Sequence, residues 1–229
     1  MTIQFNDPAS LNALPISKVV PSQTGRKPDI YASAGKRLLD VLVVLLTLPV
    51  TLPLMVLTAV LVSLDGGAPL YVQRRVGRGG RIFKMYKFRS MVPDAERALR
   101  KHLETDAEAL AEWTHSQKLR KDPRVTPLGA ILRKCSLDEL PQLLNVLRGD
   151  MSLIGPRPMM VEQTNMYPGR AYYWMRPGIS GLWQVTDRND TAFTARAQYD
   201  DKYYYNLSFA ADCSILAKTF VVVFRGTGY

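Results

Sequence analysis

Histidine and cysteine are almost missing from this sequence. Two of each stand among 229 residues. Cys135 and Cys213 lie 78 positions apart and form no CxxC, so the ligand set of a zinc site is not on offer. They read as two reduced thiols of a cytosol-facing protein. A secretory signal is missing as well, because the first apolar run begins only near Leu38. No internal repeat is visible. Two local absences say more. Val41 to Leu64 holds no charge of either sign, and residues 66–93 hold no acid.

What is present in excess is positive charge. The formal net charge is +10 and the sequence pI is about 9.7. Such a balance calls for an anionic partner: nucleic acid, a phospholipid surface or a phosphorylated substrate. The length suits one globular domain with appendages. Residues 1–30 carry Pro8, Pro15, Pro21 and Pro28 among scattered polar residues. They lack apolar periodicity, which predicts a mobile tail.

The 24 uncharged residues from Val41 to Leu64 would reach ~36 Å as a straight helix, more than the ~30 Å hydrocarbon core of a bilayer. An ordinary spanning helix is the simplest reading. Pro49 and Pro53 argue for a bend instead, since each removes a helical hydrogen bond. Both flanks are basic: Arg26, Lys27, Lys36 and Arg37 before, Arg74, Arg75, Arg78, Arg81, Lys84, Lys87 and Arg89 after. Positive charge favours the cytoplasmic side, and only a re-entrant helix keeps both flanks there. The membrane segment is therefore placed at residues 31–66, with a bend at its prolines.

Residues 69–91 read as short strands and turns, with Lys84 off one face and aromatics on the other. Asp94 to about Lys118 reads as one amphipathic helix, with Leu99, Leu103, Leu110 and Trp113 on a stripe. Further helices are expected over Leu140–Leu147, ended by Gly149, and near Phe193–Tyr205. Ser208 caps a last helix to about Phe224, whose apolar face suits either the core or the lipid interface. The fold class is α+β: a mostly helical cytosolic domain (residues 67–229) with short strands, a re-entrant membrane helix and interfacial amphipathic helices.

Three clusters carry chemistry. In Ser136-Leu137-Asp138-Glu139-Leu140-Pro141-Gln142-Leu143 the pattern Ser136…Glu139 matches a capping box. With Ser136 as cap, however, Pro141 meets the preceding turn. With Asp138 as cap, Pro141 falls in the first turn, where no amide donor is needed. That reading starts a helix at the carboxylate pair and aims its positive end at the same spot. Arg133 and Lys134, just upstream, offer neutralising charge. Gly155-Pro156-Arg157-Pro158 presents one guanidinium on a backbone fixed by two prolines, as a phosphate clamp requires; a structural turn gives the same pattern. Arg176-Pro177-Gly178 puts a cation at the mouth of a tight loop, and Asp200 and Asp201 precede three tyrosines.

Six segments then occur in one order: Lys36-Arg37-Leu38-Leu39-Asp40, Phe83 to Met91, Ser136 to Gln142, Gly149-Asp150-Met151-Ser152, Gly155 to Pro158, and Arg176-Pro177-Gly178. The series resembles the bacterial sugar transferases, the monotopic phosphoglycosyl transferases, over about residues 32–229. The resemblance implies a re-entrant helix in the cytoplasmic leaflet, broken at a Ser-Pro pair that Leu48-Pro49 replaces here. It implies catalysis by the Asp138–Glu139 dyad with Mg²⁺, the first carboxylate being the nucleophile; both are candidate metal ligands, Glu139 either holding the metal or assisting protonation. Lys87, Arg133, Arg157, Arg176 and Asp200 fall on other family positions and are expected to bind substrate. With one apolar run, the chain resembles the short members that initiate exopolysaccharides.

The implied activity transfers hexose 1-phosphate, from UDP-galactose or else UDP-glucose, to undecaprenyl phosphate. UMP leaves, and a covalent aspartyl-phosphosugar lies between the two steps. The implied place is the inner membrane, with the catalytic domain facing the cytoplasm. Oligomeric state is left open, a homodimer included. A non-enzymatic basic membrane adaptor explains the charge and the apolar run but not an acidic pair beside fixed arginines. A nucleic-acid-binding protein explains the charge alone, and the apolar run argues against it.

Overall fold

In the computed structural model, residues 30–64, 66–116, 119, 122–186 and 193–224 are described. The tail expected over residues 1–30 falls, but for Ile30, outside them.

One turn of π-helix (Tyr31–Gly35) leads into α1 (Lys36–Ser63), a helix of 28 residues. Tyr31–Ser63 has a mean hydropathy of 2.5, long and apolar enough by length and composition to cross a membrane. Its middle is bare: Leu46, Val50 and Val56 are all exposed. Its two ends are not. Near the start, Asp40 and Val44 are buried; near the finish, Thr58 and Val62 are. Asp40 accepts from the Leu153 amide at 3.0 Å, and Arg37 donates to the carbonyls of Val146 and Leu147. At the other end, Arg89 donates to the Val62 carbonyl at 2.8 Å. Between these ends the prolines leave the carbonyls of Leu45 and Pro49 without their amide donors. The hydroxyls of Thr47 and Thr51 bond back to the carbonyls of Val43 and Thr47, a contact that bends helices.

A hairpin follows. β1 (Leu70–Val76) pairs antiparallel with β2 (Ile82–Phe88), Val76 facing Ile82 and Leu70 facing Phe88. The turn uses Gly79 and Gly80 at φ 67° and 77°, where other residues are strained. Met85 and Phe88 turn inward from β2. Met85 joins Val44, Val146 and Met151, whereas Phe88 joins Val62 and Leu132. One strand therefore supports both ends of α1.

The single amphipathic helix expected from Asp94 to Lys118 is two helices, α2 (Ala95–Thr105) and α3 (Ala107–Ser116). Asp106 has extended backbone between them, and its carboxylate accepts from the Ala109 amide at 2.9 Å. A good N-cap inside an apolar period restarts the helix. Leu99 and Leu103 are buried with Ala109 against Trp113, whereas Leu110, expected on the same stripe, is 40% exposed because the new helix starts in a different phase.

α4 (Pro127–Lys134) is capped by Thr126, a 3₁₀ turn spans Leu137–Glu139, and α5 (Gln142–Arg148) ends at Gly149 in the left-handed conformation. Two short strands, β3 (Ser152–Ile154) and β4 (Gly178–Ser180), pair in parallel. Their backbones are so close that a Cβ on Gly178 would stand 2.1 Å from the Gly155 nitrogen. α6 (Leu182–Thr186), α7 (Arg196–Asn206) and α8 (Phe209–Phe224) complete the domain. The Ser208 hydroxyl accepts from the Ala211 amide at 3.3 Å, the cap expected for the last helix.

α8 is bolted to the start of the apolar helix by one buried acid. Asp212 accepts from Tyr31, Lys36 and Tyr203, each at 2.6 Å, and is 1% exposed. Removing it strands an ammonium and two phenols. Asp212→Ala should destabilise the protein by about 3–5 kcal/mol, the range for breaking a buried pair. The variant should also speed amide exchange at Tyr31–Asp40 more than in β1 and β2, read by hydrogen exchange in detergent.

Candidate active site

The acidic pair sits where the chain changes direction twice. Ser136, just after α4, has φ 55° and ψ 20°, a conformation uncommon outside glycine. It throws the chain into the 3₁₀ turn that carries Asp138 and Glu139. The helix expected to begin at Asp138 begins instead at Gln142, with Pro141 as its N-cap. Pro141 thus takes the helical φ it prefers without disturbing an earlier turn. The carboxylates stand one turn upstream of α5 rather than on its first residues.

Cations meet them from two directions. From β2, Lys87 Nζ lies 2.8 Å from Glu139 Oε1 and 3.9 Å from Asp138 Oδ2. From α4, Arg133 Nε donates to the Ser90 hydroxyl at 2.8 Å, which stands the guanidinium beside Asp138. Gly129 makes this approach feasible, since a Cβ there would fall 2.0 Å from the Ser90 carbonyl oxygen. Asp138 is buried, and burial pushes its carboxyl above the usual carboxylate range; Lys87 opposes that rise and Glu139 adds to it. The resulting carboxylate is weakly solvated and held by one ammonium, which suits a nucleophile.

A small polar cleft opens beside the pair, lined by Arg75, Lys87, Glu139, Gln142 and Arg157. Arg157 sits half-buried between the buried Pro156 and Pro158. Its loop is pinned by the Gly155 amide to the Ser180 carbonyl at 2.9 Å and the Gly178 amide to the Pro156 carbonyl at 2.8 Å. The guanidinium is thus presented on a rigid mount, and among the described residues it makes no ion pair.

Arg75 was read from the sequence only as part of a basic flank. The structure turns it into this cleft and holds it there by the Pro158 carbonyl at 3.1 Å and the Gln73 side chain at 2.5 Å. Its buried Nε has no partner among the described residues. Burial, with Arg157 adding to the effect, lowers its pKa to about 10. A Gln-Arg-Arg run ahead of a glycine turn was the only available signal, and it does not distinguish Arg75 from Arg74.

Asp200 and Arg176 go elsewhere. Asp200 is buried and accepts from the Tyr167 hydroxyl at 2.5 Å. Burial pushes its pKa up to about 7, against the pull of Tyr167 and Arg196. Arg196 stacks on Trp183 at 4.1 Å and lies near Arg157 and Arg75, so Asp200 bears on the arginine group from behind. Arg176 donates to the Gly149 carbonyl at 3.0 Å, and Arg37 takes the carbonyls of Val146 and Leu147. Both cations are drawn to the negative end of α5. That is the end away from the acidic pair, and Arg176 lines neither cleft described in this protein. Pro49 lies in the exposed middle of α1.

Among the described residues no three His, Cys, Asp or Glu gather as a metal cage. Glu139 lines the cleft beside Gln142, and Asp138 precedes Glu139 in the same turn. Two carboxylates completed by substrate oxygens and water are the donor set that Mg²⁺ takes, so the residues present fit that ion.

A family model described as bacterial sugar transferase matches residues 31–226. The exopolysaccharide production protein ExoY of Sinorhizobium fredii is 42% identical over 212 residues, which cover 91% of this chain and 93% of that protein. The UDP-galactose-lipid carrier transferase of Erwinia amylovora is 48% identical over 195 residues, covering 84% of this chain but 41% of the relative. The undecaprenyl-phosphate galactose phosphotransferase of Salmonella typhimurium is 44% identical with the same coverage. The chain therefore spans about two-fifths of the last two relatives' length.

The position of Asp200 has a measurable consequence. Its folded pKa stands near 7, whereas the unfolded chain's aspartate titrates near ~3.9. Between those values the folded protein holds a proton that the unfolded chain has lost, so stability falls as pH rises through the window. Asp200→Asn removes that loss. The melting temperature of the unaltered protein should fall more between pH 5 and pH 8 than that of the variant. Parallel pH profiles would mean that Asp200 is ionised throughout.

Proposed function

Since the chain belongs to the bacterial sugar transferase family, we propose that it moves a hexose 1-phosphate from a UDP-sugar to a polyprenyl phosphate and releases UMP. The observation that carries this reading is the acidic pair held by Lys87 at a cleft walled by Arg75 and Arg157. Such a site fits a ligand with several phosphate charges that is attacked by a carboxylate. Two relatives are named for galactose transfer and one for exopolysaccharide production. Galactose is accordingly the proposed sugar, and the proposed role is the first membrane step of exopolysaccharide synthesis.

In the first step an Asp138 carboxylate oxygen attacks the β-phosphorus of the UDP-sugar. The bond from that phosphorus to the bridging oxygen breaks, and UMP leaves with the electron pair. In the second step an oxygen of the carrier phosphate attacks the same phosphorus, the Asp138 carboxylate leaves, and a diphosphate joins sugar to carrier. Splitting one displacement into two lets both substrates use one site. Lys87 keeps the two adjacent acids charged until phosphate arrives. Arg157 and Arg75 bind the oxygens that carry charge in the transition state, and Arg133 offsets Asp138 from the α4 side. Asp138 and Glu139 would hold Mg²⁺, which would supply charge neutralisation when bound.

The proposed setting is the inner face of the cytoplasmic membrane, with α1 as a re-entrant anchor. Support comes from where its ends lie. Val44 and Val62 are 18 residues apart, ~27 Å along a straight helix. They pack in clusters around Met85 and Phe88, which are three residues, or ~10 Å, apart on β2. A helix folded back at its prolines meets both strand positions, and both basic flanks then remain on the cytoplasmic side.

Two measurements test this reading. Asp138→Asn should lower UMP release from UDP-galactose by about a thousandfold or more, as loss of a nucleophile does elsewhere; full activity would remove Asp138 from that role. In vesicles of a cysteine-free background, Ser33→Cys and Arg74→Cys, both at exposed positions, should react with an impermeant maleimide from the same side. Opposite sides would make α1 a spanning helix.

A further inference from the structure

A second cleft adjoins the polar one and differs from it in chemistry. It holds about 240 Å³. One wall is the stretch around the acidic pair, with Leu137, Leu140 and Leu143. The other is the last turns of α8, with Val222 and Val223. Two of its polar side chains, Ser180 and Thr219, are turned on each other at 2.7 Å. At one end stand Glu139 and Arg157, which also line the polar cleft, and Ile179 is common to both. The 3₁₀ turn creates this division. Leu137 and Leu140 flank the two acids in sequence yet face the apolar side.

The occupant is constrained from three directions. An apolar trough with a guanidinium at one end matches an amphiphile with a phosphate head, by charge and by polarity. The volume lies below the ~300–1,000 Å³ of sites for drug-sized ligands, which excludes a whole nucleotide sugar. One rim of the trough carries bare apolar surface. Phe220 and Val221, next to Val222 and Val223 on α8, are exposed. Such a surface at the mouth suits an apolar chain arriving from lipid.

We propose that the cleft between Leu137–Leu143 and the end of α8 binds the first isoprene units of the acceptor's tail, with the acceptor phosphate at Arg157. The proposal rests on the transfer reaction above and specifies how its lipid substrate is seated. Lys87 lines the polar cleft and not this one, so a tail seated here leaves the nucleotide's place in the polar cleft free. Binding energy from the apolar units is spent on holding that phosphate in line.

Cys135 lines the cleft and is exposed, and Cys213 is the only other cysteine of the chain. In a Cys213→Ser protein, the rate at which Cys135 reacts with a maleimide reports on the cleft directly. Farnesyl phosphate at about ten times its Kd should slow labelling about tenfold, because about a tenth of the sites stay free. Inorganic phosphate, which can fill only the polar end, should slow it far less. Equal rates with and without farnesyl phosphate overturn the proposal. So does protection that follows protein concentration, which would assign the cleft to a second copy of the chain. As a second probe, Val223→Asp places a charge on the α8 wall, and it should raise KM for the polyprenyl phosphate more than KM for the UDP-sugar. An equal rise in both overturns the tail site. UMP release without carrier is measured separately: its absence with Cys135 protection intact would count against the transfer reaction and not against the cleft.

Discussion

Two neighbouring carboxylates with a single ammonium between them set the terms for everything around the site. Burial makes the charged form of Asp138 costly, and Glu139 beside it makes it costlier. Lys87 offsets part of that cost, and it can do so only because β2 runs past the 3₁₀ turn with its side chain pointing at the pair. β2 is fixed in turn by β1, by α5 and by both ends of the apolar helix. The Asn145 side chain accepts from the Tyr86 amide at 3.1 Å and donates to the Lys84 carbonyl at 2.7 Å, locking α5 across the strand next to Lys87. The acidic pair and the apolar helix thus share one structural element.

That sharing ties the apolar helix to the site as well as to the fold. Its buried residues occur only near its ends, and each end packs on the wall that carries the site. Met85 and Phe88 are simultaneously core residues of the domain and contacts of α1. Movement of the anchor would be felt at Lys87 within one or two residues. On the far side, Asp212 ties α8 to the same helix, so the walls of the apolar cleft and of the polar cleft are both referenced to α1. In the proposed transfer a soluble nucleotide and a lipid-borne phosphate meet at one phosphorus atom, and both clefts that would hold them are built against elements tied to this helix.

Much of the local structure was legible in the chain itself. Uncharged length marks the apolar helix, glycine marks the end of α5, and Ser208 marks the start of α8. The acidic pair was legible because two carboxylates beside a proline in a basic sequence are chemically conspicuous. Two local readings failed for local reasons. Asp106 caps a new helix inside an unbroken apolar stripe, and periodicity is blind to a cap. Ser136 adopts a left-handed conformation that no composition rule assigns to serine, and this moves the helix start from Asp138 to Gln142.

The sequence by itself determined that there is a long uncharged apolar segment, an acidic pair beside a proline, and an excess of cations. It did not determine which cations serve. Arg75 and Arg157 stand 82 positions apart, and only the contact of β1 with the Pro156–Pro158 loop brings them to one cleft. Arg176, equally conspicuous in sequence, is taken up by the carbonyl end of α5 instead. A guanidinium goes to the strongest acceptor within reach of its mount. Reach is a property of how distant elements pack, so the allocation of charge to the site was settled by tertiary structure.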